Sequence, residues 1–113
     1  MDCLFCKIAH GQIPADVVYE DDDIMAFRDI APQAPIHILL IPKTHLSTIN
    51  DVNTQHQMLL GRLMITARQL ANEHHCAEDG YRLVFNINQH GGQAVYHIHL
   101  HLLGGRQMSW PPG

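Results

Sequence analysis

Tyr96-His97-Ile98-His99-Leu100-His101-Leu102-Leu103 alternates imidazole and apolar side chains without a break. A strand of this pattern sends His97, His99 and His101 to one face and Ile98, Leu100 and Leu102 to the other. Same-face neighbours on a strand stand roughly 6.7 Å apart, so three imidazoles fall in a row. Burying such a row without partners is costly, which disfavours a purely structural role. Two chemical uses remain open from the spacing alone. The histidines either chelate a catalytic or structural zinc, or one of them is a nucleophile or general base that its neighbours orient.

The flanking sequence supplies the frame for this strand. Val17-Val18-Tyr19-Glu20 and Ile24-Met25-Ala26-Phe27-Arg28 read as a hairpin across an acidic turn, and His37 to Ile41 reads as a buried strand stopping at Pro42. Pro32 and Pro35 bracket a loop, and residues 50–53 form a polar break. From Thr54 to about Cys76, Leu59, Leu60, Leu63, Met64, Ala67, Leu70 and Ala71 recur at helical spacing. Thr54 and Gln57 have capping-box spacing at its start, and Gly80 is expected to end the segment. Residues 4–10 read as a short helix closed by Gly11, Tyr81 to Asn86 as a strand, and His90 to Gln93 as a flexible loop. The prediction is one α+β domain over 1–113, an antiparallel sheet with one long and one short helix, and a tail from about 106 to 113.

Composition narrows the function. At 113 residues, with 46% hydrophobic and 16% charged side chains, the chain suits a single globular core. A net charge of −4 excludes a sequence-independent nucleic-acid binder, which needs a basic face. No apolar stretch has the length of a membrane span, and the first residues lack a basic region followed by a hydrophobic run, so a cytoplasmic protein without membrane contact is expected. Ten histidines against seven Lys plus Arg point to imidazole chemistry.

His97-Ile98-His99-Leu100-His101-Leu102-Leu103 resembles the signature of the histidine triad (HIT) superfamily. Phe27 to His37, Ile41-Pro42-Lys43-Thr44-His45, Gly91-Gly92-Gln93 and the ending Gly104 to Gly113 are similar to its Hint branch, the purine nucleoside phosphoramidases. The resemblance spans essentially the whole chain. It implies a HIT fold, a homodimer whose two sheets join into one, and hydrolysis of the P–N bond of purine nucleoside 5′-phosphoramidates through a covalent nucleotidyl-histidine. No cofactor is implied for the chemistry. By position His99 is the nucleophile, His101 and His37 are its supporting imidazoles, and Asp29 takes the ribose hydroxyls. Leu4, Phe5, Ile8, Phe27 and Ile30 match the sandwich around the base, and Arg28, standing where some members have His, is either a positive charge near the ribose or a solvated strand residue. Asn86 and the Gly92-Gln93 backbone would line the phosphate. Ala94 departs from the pattern, since many members carry Ser there. A dinucleotide polyphosphate hydrolase, a nucleotide-binding regulatory module and a zinc-binding interaction protein are the rival readings.

Three cysteines, two of them spaced as Cys3-x-x-Cys6, suit metal or redox use in a reducing compartment better than a disulfide framework. Some HIT relatives pair such cysteines with two histidines, which implies a structural zinc at Cys3, Cys6, His45 and His97, against free thiols on a short helix. His10, His56 and His90 read as surface residues, and His74 and His75 complement a helix C-terminus. The resemblance has Trp110-Pro111-Pro112 reach toward the partner's active site.

Overall fold

The computed structural model describes residues 2–113. Its centre is a five-stranded antiparallel sheet in the order β1-β2-β3-β5-β4. The strands are β1 (Val17–Glu20), β2 (Ile24–Arg28), β3 (Ile36–Pro42), β4 (Tyr81–Val84) and β5 (Leu100–Gly104), with helices α1 (Leu4–Ala9), α2 (Gln57–Glu73) and α3 (Asn88–Gly91). The two apolar runs of β2 and β3 are explained by burial on both faces. Ile24, Ala26, Ile38 and Leu40 join Leu63, Ala67, Leu70 and Ala71 of α2 in one core, while Met25, Phe27, Leu39 and Ile41 meet Phe5, Ile8 and Ala9 of α1 in a second. Each fully buried leucine contributes on the order of 2 kcal/mol, so the α2 stripe suffices to fix that helix on the sheet. No helix among the described residues is long and apolar enough to cross a membrane.

The hairpin matches the sequence expectation and α1 and β3 do so to within a residue at each end, while β5, β4, α3 and α2 differ more. The β5 ladder begins at Leu100, not at Tyr96. The polar groups that a longer strand would give to its neighbour are spent elsewhere: the Ile98 amide donates to Leu46 O at 2.7 Å, and the His97 carbonyl accepts from the His99 ring at 2.8 Å. The facing pattern survives, because Leu100 and Leu102 still enter the α2 core. Tyr81 to Asn86 forms a strand only to Val84, which sits opposite His101. Residues 88–91 coil into α3, which overlaps the first half of the segment read as a flexible loop, His90 to Gln93, and is capped by Gly92 with φ +77, a conformation that favours glycine.

The long helix differs at both ends. It starts as a 3-10 turn, Thr54–His56, capped one residue earlier than expected: the Asn53 side chain accepts from the Gln55 amide, and the Asn53 amide donates to His56 Nδ1. His56 is thus a capping residue. At the far end α2 stops at Glu73, the His74 ring bonds the Leu70 carbonyl at 2.9 Å, and His75 takes φ 63. Gly80 therefore lies in the turn before β4 instead of ending the helix. Cys76 folds inward beneath β5, where a Cβ on Gly104 would stand 2.7 Å from its Sγ and 3.0 Å from its Cβ. Gly104→Ala is expected to cost about 1–3 kcal/mol by overpacking, read by urea denaturation, with a smaller loss when Cys76 is also cut to alanine.

Candidate active site

The three histidines leave β5 and its approach on the face turned toward α1. His101 lies opposite Leu39 in the ladder and His37 opposite Leu103, so the two imidazoles are diagonal neighbours with ring centres 5.2 Å apart. His99 stands 4.9 Å from His101 by ring centre, and the Phe5 ring meets His99 edge-on at 5.1 Å. The short helix α1 thus walls the histidine row as well as packing the sheet.

The hydrogen bonds assign protons to these rings. A ring nitrogen facing a carbonyl must donate, so His99 carries its hydrogen on Nδ1, held by the His97 carbonyl at 2.8 Å, and its Nε2 keeps the lone pair. His97 likewise donates from Nε2 to the Pro42 carbonyl at 2.7 Å. Burial pushes His37, His97 and His99 below the ordinary imidazole range. His101 is lowered to about 4 by burial, with His99 and His37 adding to the effect. These imidazoles are therefore neutral near pH 7. Among the described residues, His101 Nε2 is one of two buried side-chain polar atoms that find no protein partner, the other being Thr48 Oγ1. An unbonded buried ring nitrogen beside the neutral His99 imidazole is a feature that a bound ligand completes.

Beside the row opens a mostly apolar cleft of about 530 Å³. Its walls bring together Leu4, Phe5, Ile8, Phe27, Arg28, Asp29 and Ile30, all expected from the sequence, with Ile13, Pro14, Ala15, Asp16, Leu39 and Val95, which were not. Ile30 is fully exposed and forms the outer lip. Asp29 Oδ1 accepts from the Ala31 amide at 2.8 Å, and Oδ2 lies 3.5 Å from His37 Nε2. Arg28 is held by Asp16 at 3.3 Å and approaches His74 Nε2 at 3.5 Å.

Asn86, Gly92, Gln93 and Ala94 do not line this cleft. The Gly92 and Gln93 amides close α3 by donating to Gln89 O and Asn88 O. The buried Gln93 side chain accepts from the Asn88 amide and donates to the Ser47 and Val95 carbonyls. It ties the α3 segment to the loop after β3.

A second cluster stands behind the row. One donor atom each from Cys3, Cys6, His45 and His97 lies within 4.8 Å of the others. His97 Nδ1 is 3.4 Å from Cys3 Sγ, 3.5 Å from Cys6 Sγ and 3.2 Å from His45 Nδ1, and His45 Nδ1 is 3.3 Å from Cys6 Sγ. A tetrahedral ion with bonds of about 2.0–2.3 Å needs edges of roughly 3.3–3.8 Å, so the donor set fits one. Both imidazoles turn Nδ1 inward while Nε2 is bonded outside, to Pro42 O and to Ser47 Oγ, the usual support of metal-binding histidines. Burial and the adjacent Cys3 sulfur push the Cys6 thiol up to about 11, so a cation is what would let this sulfur sit as a thiolate.

An antiparallel sheet presenting an imidazole row at the edge of an apolar cleft defines the histidine triad class. The chain belongs to the histidine triad superfamily, among its hydrolases. The family model described as "Scavenger mRNA decapping enzyme C-term binding" matches residues 2–110. The chain is 54% identical to a purine nucleoside phosphoramidase of Escherichia coli (strain K12) over 107 residues, 95% of this chain and 90% of that protein. It is 51% identical to a 14 kDa zinc-binding protein of Brassica juncea over 114 residues, 99% of this chain and all of that one. The crystal structure of a HIT family hydrolase from Legionella pneumophila Philadelphia 1 superposes with a TM-score of 0.98 at 65% identity, covering 99% of this chain and 100% of that one.

Proposed function

We propose that the protein hydrolyses the P–N bond of purine nucleoside 5′-phosphoramidates, with His99 as the nucleophile. The observation that carries this reading is the His99 tautomer, whose Nε2 lone pair is free because Nδ1–H is held by the His97 carbonyl. In the first step Nε2 forms a bond to phosphorus while the P–N bond breaks, and the amine departs with the bonding pair and a proton from solvent. In the second, water attacks phosphorus and gives a proton back to solvent, the His99–phosphorus bond breaks with its electron pair returning to Nε2, and a nucleoside monophosphate is released. The reading agrees with the name of the E. coli relative.

The base lies between Phe5, Ile8, Phe27 and Leu39, with Leu4 and Ile30 at the rim, and Asp29 accepts from the ribose hydroxyls. Arg28 adds positive charge at the ribose end. His101 donates to a phosphoryl oxygen, which matches its unpartnered Nε2. Asn86, Ala94 and the Gly92-Gln93 turn flank the phosphate side, with Gln93 acting through the loop that it bolts in place. Cys3, Cys6, His45 and His97 hold zinc as a closed four-ligand structural site, which supplies no chemistry of its own. Two copies pair through the open edge of β4, a reading supported by the exposed Met58 and Ile65 on α2.

Release of AMP from adenosine 5′-phosphoramidate, followed against pH, tests this function. Because burial lowers the His99 pKa, its lone pair stays available through neutral pH, and kcat/KM should be flat there with an acid limb below pH 6.5. Protonation of Nε2 removes the nucleophile, so the rate falls as pH falls. Absence of AMP release at every pH would remove the phosphoramidase reading.

A further inference from the structure

We infer that the main-chain amide of Gln33, acting through His37, sets which nitrogen of His101 carries the proton, so that His101 faces the reacting group as a donor from Nε2. The nature of that group, a phosphoryl oxygen, rests on the function proposed above. The proton assignment rests on geometry alone.

An amide nitrogen in a peptide can donate and cannot accept. The Gln33 amide lies 3.0 Å from His37 Nδ1, so that ring nitrogen must present its lone pair, and the proton of the neutral ring is on Nε2. His37 Nε2 lies 2.9 Å from His101 Nδ1. With the hydrogen on the His37 side, His101 Nδ1 accepts, and the His101 proton is on Nε2. That is the buried nitrogen with no protein partner. The chain therefore runs in one direction, from a group that cannot be reversed to a buried donor that no protein atom satisfies. Reversing it would put a hydrogen on His37 Nδ1 facing the amide hydrogen across 3.0 Å. Asp29 Oδ2, 3.5 Å from His37 Nε2, is the other charged group against this pair, and it too favours a hydrogen on Nε2.

Two consequences follow. His101 serves as a fixed hydrogen-bond donor, ready before substrate arrives, which is how preorganised donors lower a barrier. And although Asp29, His37 and His101 lie close enough together to hold a cation, the amide opposes that use. A metal on His37 Nε2 would drive the ring proton to Nδ1, against Gln33 N–H.

The loop that carries the amide is held independently of the histidines. Asp29 Oδ1 accepts from the Ala31 amide, the Gln33 side chain donates to Ala31 O at 3.1 Å, and Arg106 Nε donates to Gln33 O at 3.1 Å. Gln33 thus acts on the rings through its main-chain amide, while its side chain is one of several contacts that hold the loop.

The test is long-range ¹H–¹⁵N correlation on histidine-labelled full-length protein without ligand, with Gln33→Pro, which removes the amide hydrogen, and Gln33→Ala, which keeps it. The wild type and Gln33→Ala should show His37 and His101 protonated at Nε2. Gln33→Pro should lose that pattern at both rings and lower kcat on the order of 10- to 100-fold with KM within about twofold. A wild type with His101 protonated at Nδ1 overturns the inference, and this holds even if Gln33→Pro does not fold. A folded Gln33→Pro with unchanged ring signals overturns the role of the amide. If the tautomers stand as stated but no phosphoramidate is cleaved, the proposed function fails and the proton relay does not.

Discussion

His99→Ala is expected to lower AMP release from adenosine 5′-phosphoramidate by roughly 10⁴-fold or more, the scale on which removal of an attacking group acts. The structure makes this substitution selective. His99 meets the cleft wall through its T-shaped contact with Phe5, whereas Phe27, Ile8 and Leu39, proposed to hold the base, and the Asp29 carboxylate stand on other elements. Binding of AMP by the variant should accordingly change by less than about tenfold, read by calorimetry. A general base could be replaced in part by solvent, but a covalent nucleophile cannot, so residual turnover above a few percent would move the covalent role away from His99. His99→Asn makes the sharper comparison, because its amide can still bond the His97 carbonyl yet offers phosphorus no lone pair of comparable nucleophilicity.

The imidazole row was legible because alternation is a local property: residue types at period two say which side chains share a face, whatever the strand's exact start. The same holds for the two-sided burial of β2 and β3, visible as unbroken apolar runs. What the sequence hid was decided by partners far along the chain. The bend before Leu100 exists because Leu46 and the His99 ring take the polar groups of residues 97 and 98. Nothing local to Tyr96 or His97 records that. Ile13, Pro14, Ala15 and Val95 line the cleft from segments with no periodicity, so no pattern could single them out. The cap at Asn53 was missed by one position because His56, an imidazole, fills the place usually taken by Glu or Gln. Gln33 acts through its main chain, and a backbone donor has no side-chain signature at all.

Metal removal should give the second large effect, and it should fall on stability more than on chemistry. Purified without chelators, the chain is expected to carry about one zinc, and Cys6→Ser almost none, by elemental analysis. Loss of the ion would remove the charge that draws two sulfurs and two inward-facing Nδ1 atoms together, at the junction of α1, the loop after β3 and the approach to β5. A drop in Tm of roughly 10 °C or more should follow, since a few kcal/mol moves a domain of this size by that amount. The rate should fall far less than in His99→Ala. The link between the cluster and His99 is indirect: His97 turns Nδ1 toward the cluster, Nε2 to Pro42 and its carbonyl to His99 Nδ1. Releasing the His97 ring loosens that carbonyl without removing it, so kcat per folded molecule should drop by about tenfold or less. Metal-free wild-type protein of undiminished Tm would remove the structural site. A chelator that abolished turnover while leaving Tm unchanged would instead place the ion on the reacting side of the histidine row, where it would compete for the lone pair that the His97 carbonyl keeps free on His99.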